Sequence, residues 1–207
     1  MPKDHAPSVA RMTDIEQLAP DTPPVTATPA DTLVGDTPAT DTPAGDGPVT
    51  DDRDPAQVVT AMVDHVLALA ATWTAWDGCP VHTDGRDYTP HKAIRRVADH
   101  LVDHLAELEA RLAGEETEPD HWRASAVTTP ADLAPFTQDD LEEACSRLVR
   151  LAGIWARRLG SLTAEQLDHS PGTGWTFRGL AFHVAESVYY ADALGELAPT
   201  AHRGSQA

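Results

Sequence analysis

Along the chain, apolar residues recur with helical spacing in four stretches, and the segments between them show no convincing alternation of the kind a strand needs. The first stretch opens at Asp54-Pro55, where a capping carboxylate precedes a proline whose φ already suits a helix. It continues through Val59, Met62, Val63, Val66, Ala70 and Trp73. The second opens in the same way at Thr89-Pro90 and sets Ile94, Val97, Leu101, Leu105, Leu108 and Leu112 on one stripe before Gly114 ends it. A capping box, Thr137-Gln-Asp-Asp140, starts the third, whose stripe is Leu141, Leu148, Leu151, Trp155 and Leu159. The fourth begins near Trp175-Thr176 and carries Phe177, Leu180, Val184, Val188, Ala191 and Leu194. Each stripe covers about a third of its helix, the width expected of a helix facing a bundle core.

These elements predict an all-α domain, a four-helix bundle over residues 53–197. The connection from Glu115 to Phe136 contains Pro119, Pro130 and Pro135 and is long enough to travel the length of a helix. Helices two and three are therefore expected to run parallel, in an up-down-down-up order; a plain up-down bundle with a decorated loop is the alternative. Helices two and four also resemble each other at an offset of 87 residues. Tyr88-Thr89 aligns with Trp175-Thr176, His91 with Arg178, and Val97-Ala98-Asp99 with Val184-Ala185-Glu186. Either two helical hairpins are related by an approximate two-fold axis, or two capped amphipathic helices have converged.

Composition divides the 207-residue chain. Residues 1–52 hold ten acidic residues against Lys3 and Arg11, no aromatic residue, and the triplet Asp-Thr-Pro three times. Such a stretch cannot bury enough apolar surface to offset its ordering entropy, so it is predicted to be a disordered acidic tail. Residues 198–207 are expected to be a flexible end. The net charge of −18 argues against nucleic acid and anionic membranes as partners. No apolar run near the length of a membrane span and no signal-like apolar core stand out, so a cytoplasmic location is the expectation. Cys79 and Cys145 give no disulfide framework and read as reduced thiols.

Ten histidines supply the candidate chemistry. His100 and His104 lie one turn apart on helix two, so both project from one face and could grip one ion. His183 lies at a comparable edge of helix four. Three neutral imidazoles meeting between helices would hold Zn²⁺ or Ni²⁺ and leave positions open for water or a thiol. The competing reading is that these are ordinary polar residues at the edge of the core. By position on the helical wheel, Arg96 is expected to be a surface charge and Glu186 to fall away from the site. His65, on the flank of helix one, could stand behind a ligand or be partly exposed. Cys79, Asp77 and His82 share a loop and form a weaker second candidate for a metal.

The segment Trp175-Thr-Phe-Arg-Gly-Leu-Ala-Phe-His183-Val-Ala resembles the Trp-Ser/Thr-x-Arg-x-Leu-x-x-His-x-Ala helix of the DinB-like superfamily. The lead-in, Ala164-Glu-Gln-Leu-Asp168 and Pro171-Gly-Thr-Gly174, fits it too. Arg96-Val-Ala-Asp-His100-Leu-Val-Asp-His104 is similar to that family's other metal helix, with two histidines four apart. The order is exchanged, because in the usual family chain the single-histidine helix is second and the paired-histidine helix fourth. Exchange of two pseudo-symmetric hairpins would preserve the site. The resemblance implies an up-down-down-up bundle with His100, His104 and His183 as metal ligands. It also implies chemistry on a low-molecular-weight thiol such as mycothiol or bacillithiol.

The leading expectation is thus a metal-dependent S-transferase or related thiol enzyme acting on a small-molecule substrate. Within it, Tyr190 is placed to hydrogen-bond substrate, and no general base is identified. The alternatives are a metal-dependent hydrolase and a non-catalytic bundle that binds a partner or forms a homodimer.

Overall fold

The computed structural model describes residues 52–118, 123, 126–172 and 174–198. The predicted acidic tail, Asp52 aside, and residues 199–207 lie outside them. The described part is predominantly helical, with α1 (Pro55–Ala70), α2 (Pro90–Ala113), α3 (Gln138–Gly160), α4 (Ala164–Asp168), α5 (Phe177–Glu186) and α6 (Tyr189–Asp192).

Helix starts follow their caps. Asp54 accepts from the amide of Ala56, Thr89 from that of Lys92, and Thr137 with Asp140 forms the expected reciprocal box. Gly114 ends α2 at φ 73°, a left-handed conformation that costs glycine little. Val59, Val66, Leu101, Leu148, Trp155, Leu180 and Val184, one or two from each long helix, are fully buried and form a single core.

Three features differ from the pattern of the sequence. A short antiparallel hairpin, β1 (Val81–Thr83) and β2 (Arg86–Tyr88), precedes α2 with Val81 opposite Tyr88. Its turn is Asp84-Gly85, both at positive φ, the chemistry a tight hairpin requires. Three-residue strands are too short to show alternation, so the turn was the only local signal. The hairpin carries Tyr88 into the core.

The predicted fourth helix is broken. The Ser187 amide bonds to the Val184 carbonyl, and the Val188 amide to that of Ala185, a tighter pattern than an α-helix. The Ser187 hydroxyl takes the Val184 carbonyl as well, at 2.8 Å. Serine competing for the backbone, followed by a β-branched valine, weakens a helix at this place. In helix one, Trp73 falls in a 3₁₀ turn (Trp73–Ala75) beyond α1. The stretch Pro55–Ala75 is long and apolar enough to cross a membrane by length and composition alone. Asp64 and His65 interrupt it in the sequence, and Val59, Met62, Val63 and Val66 face the core.

Side-chain pairs fix the directions of the helices. Against α3, His91 reaches Asp140, Trp155 Nε1 donates to the Leu101 carbonyl, and Glu109 pairs with Arg158. Residue numbers rise together, so α2 and α3 run parallel. Against the last segment, Arg111 meets Trp175, His104 meets His183, and Arg96 meets Tyr190. There the numbers run oppositely, so α2 is antiparallel to α5 and α6.

Candidate metal centre

The seam between α2 and α5 is where histidine chemistry collects. His100 and His104 project from one face of α2, and Thr176 caps α5 through the Gly179 amide so that His183 falls opposite them. Ring centroids are 4.6 Å apart for His100 and His104, and 5.0 Å from each of these to His183. One ligand nitrogen from each lies within 4.8 Å of the others. Four-coordinate zinc at about 2.0–2.1 Å from each nitrogen brings such atoms to about 3.3 Å apart. Small ring rotations therefore close the set, and three imidazoles suit zinc, nickel or copper.

His104 and His183 are buried and His100 is half-buried, so the cluster meets solvent along its His100 side. Burial above all, then the charges of His104, His183 and Arg96, holds the His100 pKa down at about 3. The ring is neutral near pH 7, the form that can donate a lone pair to a metal.

The histidines are held from behind. His104 Nδ1 donates to Glu107 Oε2 at 2.9 Å, which turns its shielded Nε2 towards the cluster. His183 Nδ1 lies 3.4 Å from Glu186 Oε2, the same arrangement in looser form. A carboxylate on the far nitrogen fixes the tautomer and orientation of a metal-binding imidazole and makes it a better donor. Glu107 is itself anchored by Arg111 Nη1 at 3.0 Å, and Arg111 Nη2 donates to the Trp175 carbonyl at 2.8 Å. Burial pushes the Glu107 carboxyl upward, but the His104 and Arg111 hydrogen bonds outweigh it and leave the pKa below its ordinary value. The Trp175 ring stacks on His183 at 5.2 Å and 10°. A Cβ on Gly179 would sit 3.2 Å from that indole, so the glycine admits the ring.

Other expectations resolve differently. Glu186 does not fall away from the site but touches His183, because the i+3 position shares its helix face. Arg96 is no surface charge: it is 2% exposed, hydrogen-bonded through Nη1 to Asp99 at 3.2 Å and through Nε to the Tyr190 hydroxyl at 3.5 Å. The break at Ser187 turns α6 so that buried Tyr190 faces Arg96. His65 Nε2 pairs with Asp192 at 2.7 Å on the exposed side of α1. In the loop near Cys79, the Asp77 carboxylate accepts the Cys79 amide and His82 pairs with Asp87. Among the described residues, convergent metal-ligand geometry is found at His100, His104 and His183. The sequence held a signal for the carboxylates, a glutamate three residues after His104 and after His183. Arg111 and Trp175 meet only through tertiary packing.

No family model matches the sequence, and no curated protein or solved structure matches it either.

Proposed function

We propose that this chain is a divalent-metal protein of the DinB-like kind, an up-down-down-up four-helix bundle whose His100, His104 and His183 bind one zinc or nickel ion. The observation that carries the proposal is the convergence of three imidazole nitrogens within 4.8 Å, contributed by two helices. The parallel course of α2 and α3, and the antiparallel course of α2 and α5, support the bundle order. The exchanged order of the two histidine helices is then a rearrangement that leaves the site intact.

Bound there, the ion would supply a Lewis acid that lowers the pKa of a thiol or water and so provides a nucleophile near neutral pH. The chain's own residues do the remainder. Glu107 and Glu186 orient the ligand rings, Trp175 packs over His183, and the half-buried His100 marks the side from which a small molecule enters. A thiol-dependent S-transferase using a low-molecular-weight thiol fits this arrangement best.

A second reading has one observation in its favour: His104 and His183 are 4% and 8% exposed, as in a site that only staples two helices. Addition of 2-mercaptoethanol to the cobalt-loaded full-length chain separates the two. A near-ultraviolet thiolate-to-cobalt band is the result expected of the thiol reading. Bound cobalt with no such band at saturating thiol would overturn it in favour of the staple.

A further inference from the structure

The face of α2 that carries the histidines also carries two cations withdrawn from water. Lys92, Arg96, His100 and His104 follow at four-residue spacing, so each side chain stands about 6 Å along the helix from the next. Lys92 is 0% exposed and Arg96 2%. Lys92 is held by the Thr128 hydroxyl at 3.0 Å and lies 5.9 Å from the Tyr88 ring centroid. Arg96 lies one turn from His100, over the Tyr190 ring at 5.4 Å, with its Nε on the Tyr190 hydroxyl. Its charge reaches the cluster and contributes to the lowered pKa of His100, after burial and the other two histidines.

Burying a guanidinium costs several kcal/mol unless its counter-charges are well placed. One acidic partner, Asp99, lies 3.2 Å from Arg96 Nη1, and its side chain is 42% exposed. An exposed carboxylate on a buried arginine is a counter-ion that a better-seated anion can replace. Arginine's planar fork of donors suits a carboxylate, and the Tyr190 hydroxyl and ring fix its orientation.

We propose that Arg96 is the anion-recognition group of the metal site. The thiol that enters carries a carboxylate, which binds the Arg96 guanidinium in place of Asp99 while the sulfur faces the three histidines. This inference rests on the metal-site reading above and names the class of molecule that site accepts, a small anionic thiol.

The test is a titration of the cobalt-loaded full-length chain with 3-mercaptopropionate, 2-mercaptoethanol and cysteamine, read from the thiolate-to-cobalt band. A charge-assisted hydrogen bond gives the anionic thiol an apparent Kd lower than that of 2-mercaptoethanol by about ten-fold. Cysteamine, with its ammonium group, should bind most weakly. Arg96→Met should abolish the preference while 2-mercaptoethanol still binds, and Asp99→Asn should increase it by removing the competing carboxylate. If Arg96→Met does not fold, Arg96→Lys, which keeps the charge but loses the fork, should reduce the preference. Equal affinity for the three thiols, or a preference that neither Arg96→Lys nor Asp99→Asn alters, would overturn the proposal and leave Arg96 a strut between α2 and α6. Failure of cobalt to bind at all is a separate outcome that removes the metal reading itself, and this inference with it.

Discussion

Arg111 Nη2 donates to the Trp175 carbonyl at 2.8 Å, tying the last turn of α2 to the residue whose indole stacks on His183. The same guanidinium, through Nη1, holds the Glu107 carboxylate that receives His104 Nδ1–H. One arginine thus steadies a candidate ligand on each of two helices. Arg111→Met should keep an apolar stem but release both ties, along with the guanidinium's contact over the Phe177 ring at 4.5 Å. Metal affinity, measured by competition with a chromophoric chelator, should fall by about 10- to 100-fold. Unchanged affinity would show that Arg111 only joins helix ends.

The two carboxylates behind the histidines are unequal. Glu107 makes a 2.9 Å hydrogen bond and its side chain is 25% exposed, whereas Glu186 stands 3.4 Å from His183 and is 76% exposed. An exposed pair contributes little because water and salt screen it. Glu107→Gln should therefore weaken metal binding about ten-fold, and Glu186→Gln much less. Equal effects in the same competition assay would contradict the ranking by burial.

Much of this was legible in the chain itself. Thr89-Pro90, Thr137 to Asp140 and Gly114 marked helix ends because capping chemistry is local, and His100 and His104 shared a face by spacing alone. Arg96 was misread because a helical wheel measures distance from one apolar stripe. The face that covers Arg96 is supplied by Tyr190, beyond a helix break that depends on Ser187 and Val188. Glu186 was misplaced for a related reason, since its contact is with His183 on its own helix and not with the core. The hairpin of residues 81–88 was hidden by its length, although Asp84-Gly85 names its turn.

The loop between α2 and α3 is anchored through Asp132, whose carboxylate accepts from Arg95 Nε and Nη2 and from the amide and hydroxyl of Thr129. Burial raises its pKa, but these hydrogen bonds outweigh burial and hold it below its ordinary value. A carboxylate depressed in the folded state stabilises fully above the unfolded value, about 3.9, and loses that contribution as pH falls through the folded value. Asp132→Asn should cost about 2 kcal/mol at pH 7, with the two proteins converging in stability at a pH below the depressed folded value. Urea denaturation of metal-free protein at both pH values checks this. A constant difference between them would contradict it.

Trp155 is fully buried on α3, and its Nε1 donates to the Leu101 carbonyl at 3.0 Å across the junction with α2. Trp155→Phe removes that bond and leaves a small void, so it should destabilise by about 1–3 kcal/mol. Because the lost bond is to the backbone carbonyl of Leu101 and not to a histidine, metal stoichiometry should be unaffected. A loss of metal without a loss of stability would mean that α3 supports the site directly.

Convergence of His100, His104 and His183 should give the chain one divalent-ion site. Elemental analysis of the untagged full-length chain, purified without chelator and after reconstitution with zinc or nickel, tests it most directly beside a His100→Ala, His183→Ala double variant. The parent should hold close to one ion per chain, lost in the variant while helicity persists. No bound ion in the parent after reconstitution, or equal metal in both proteins, would contradict it.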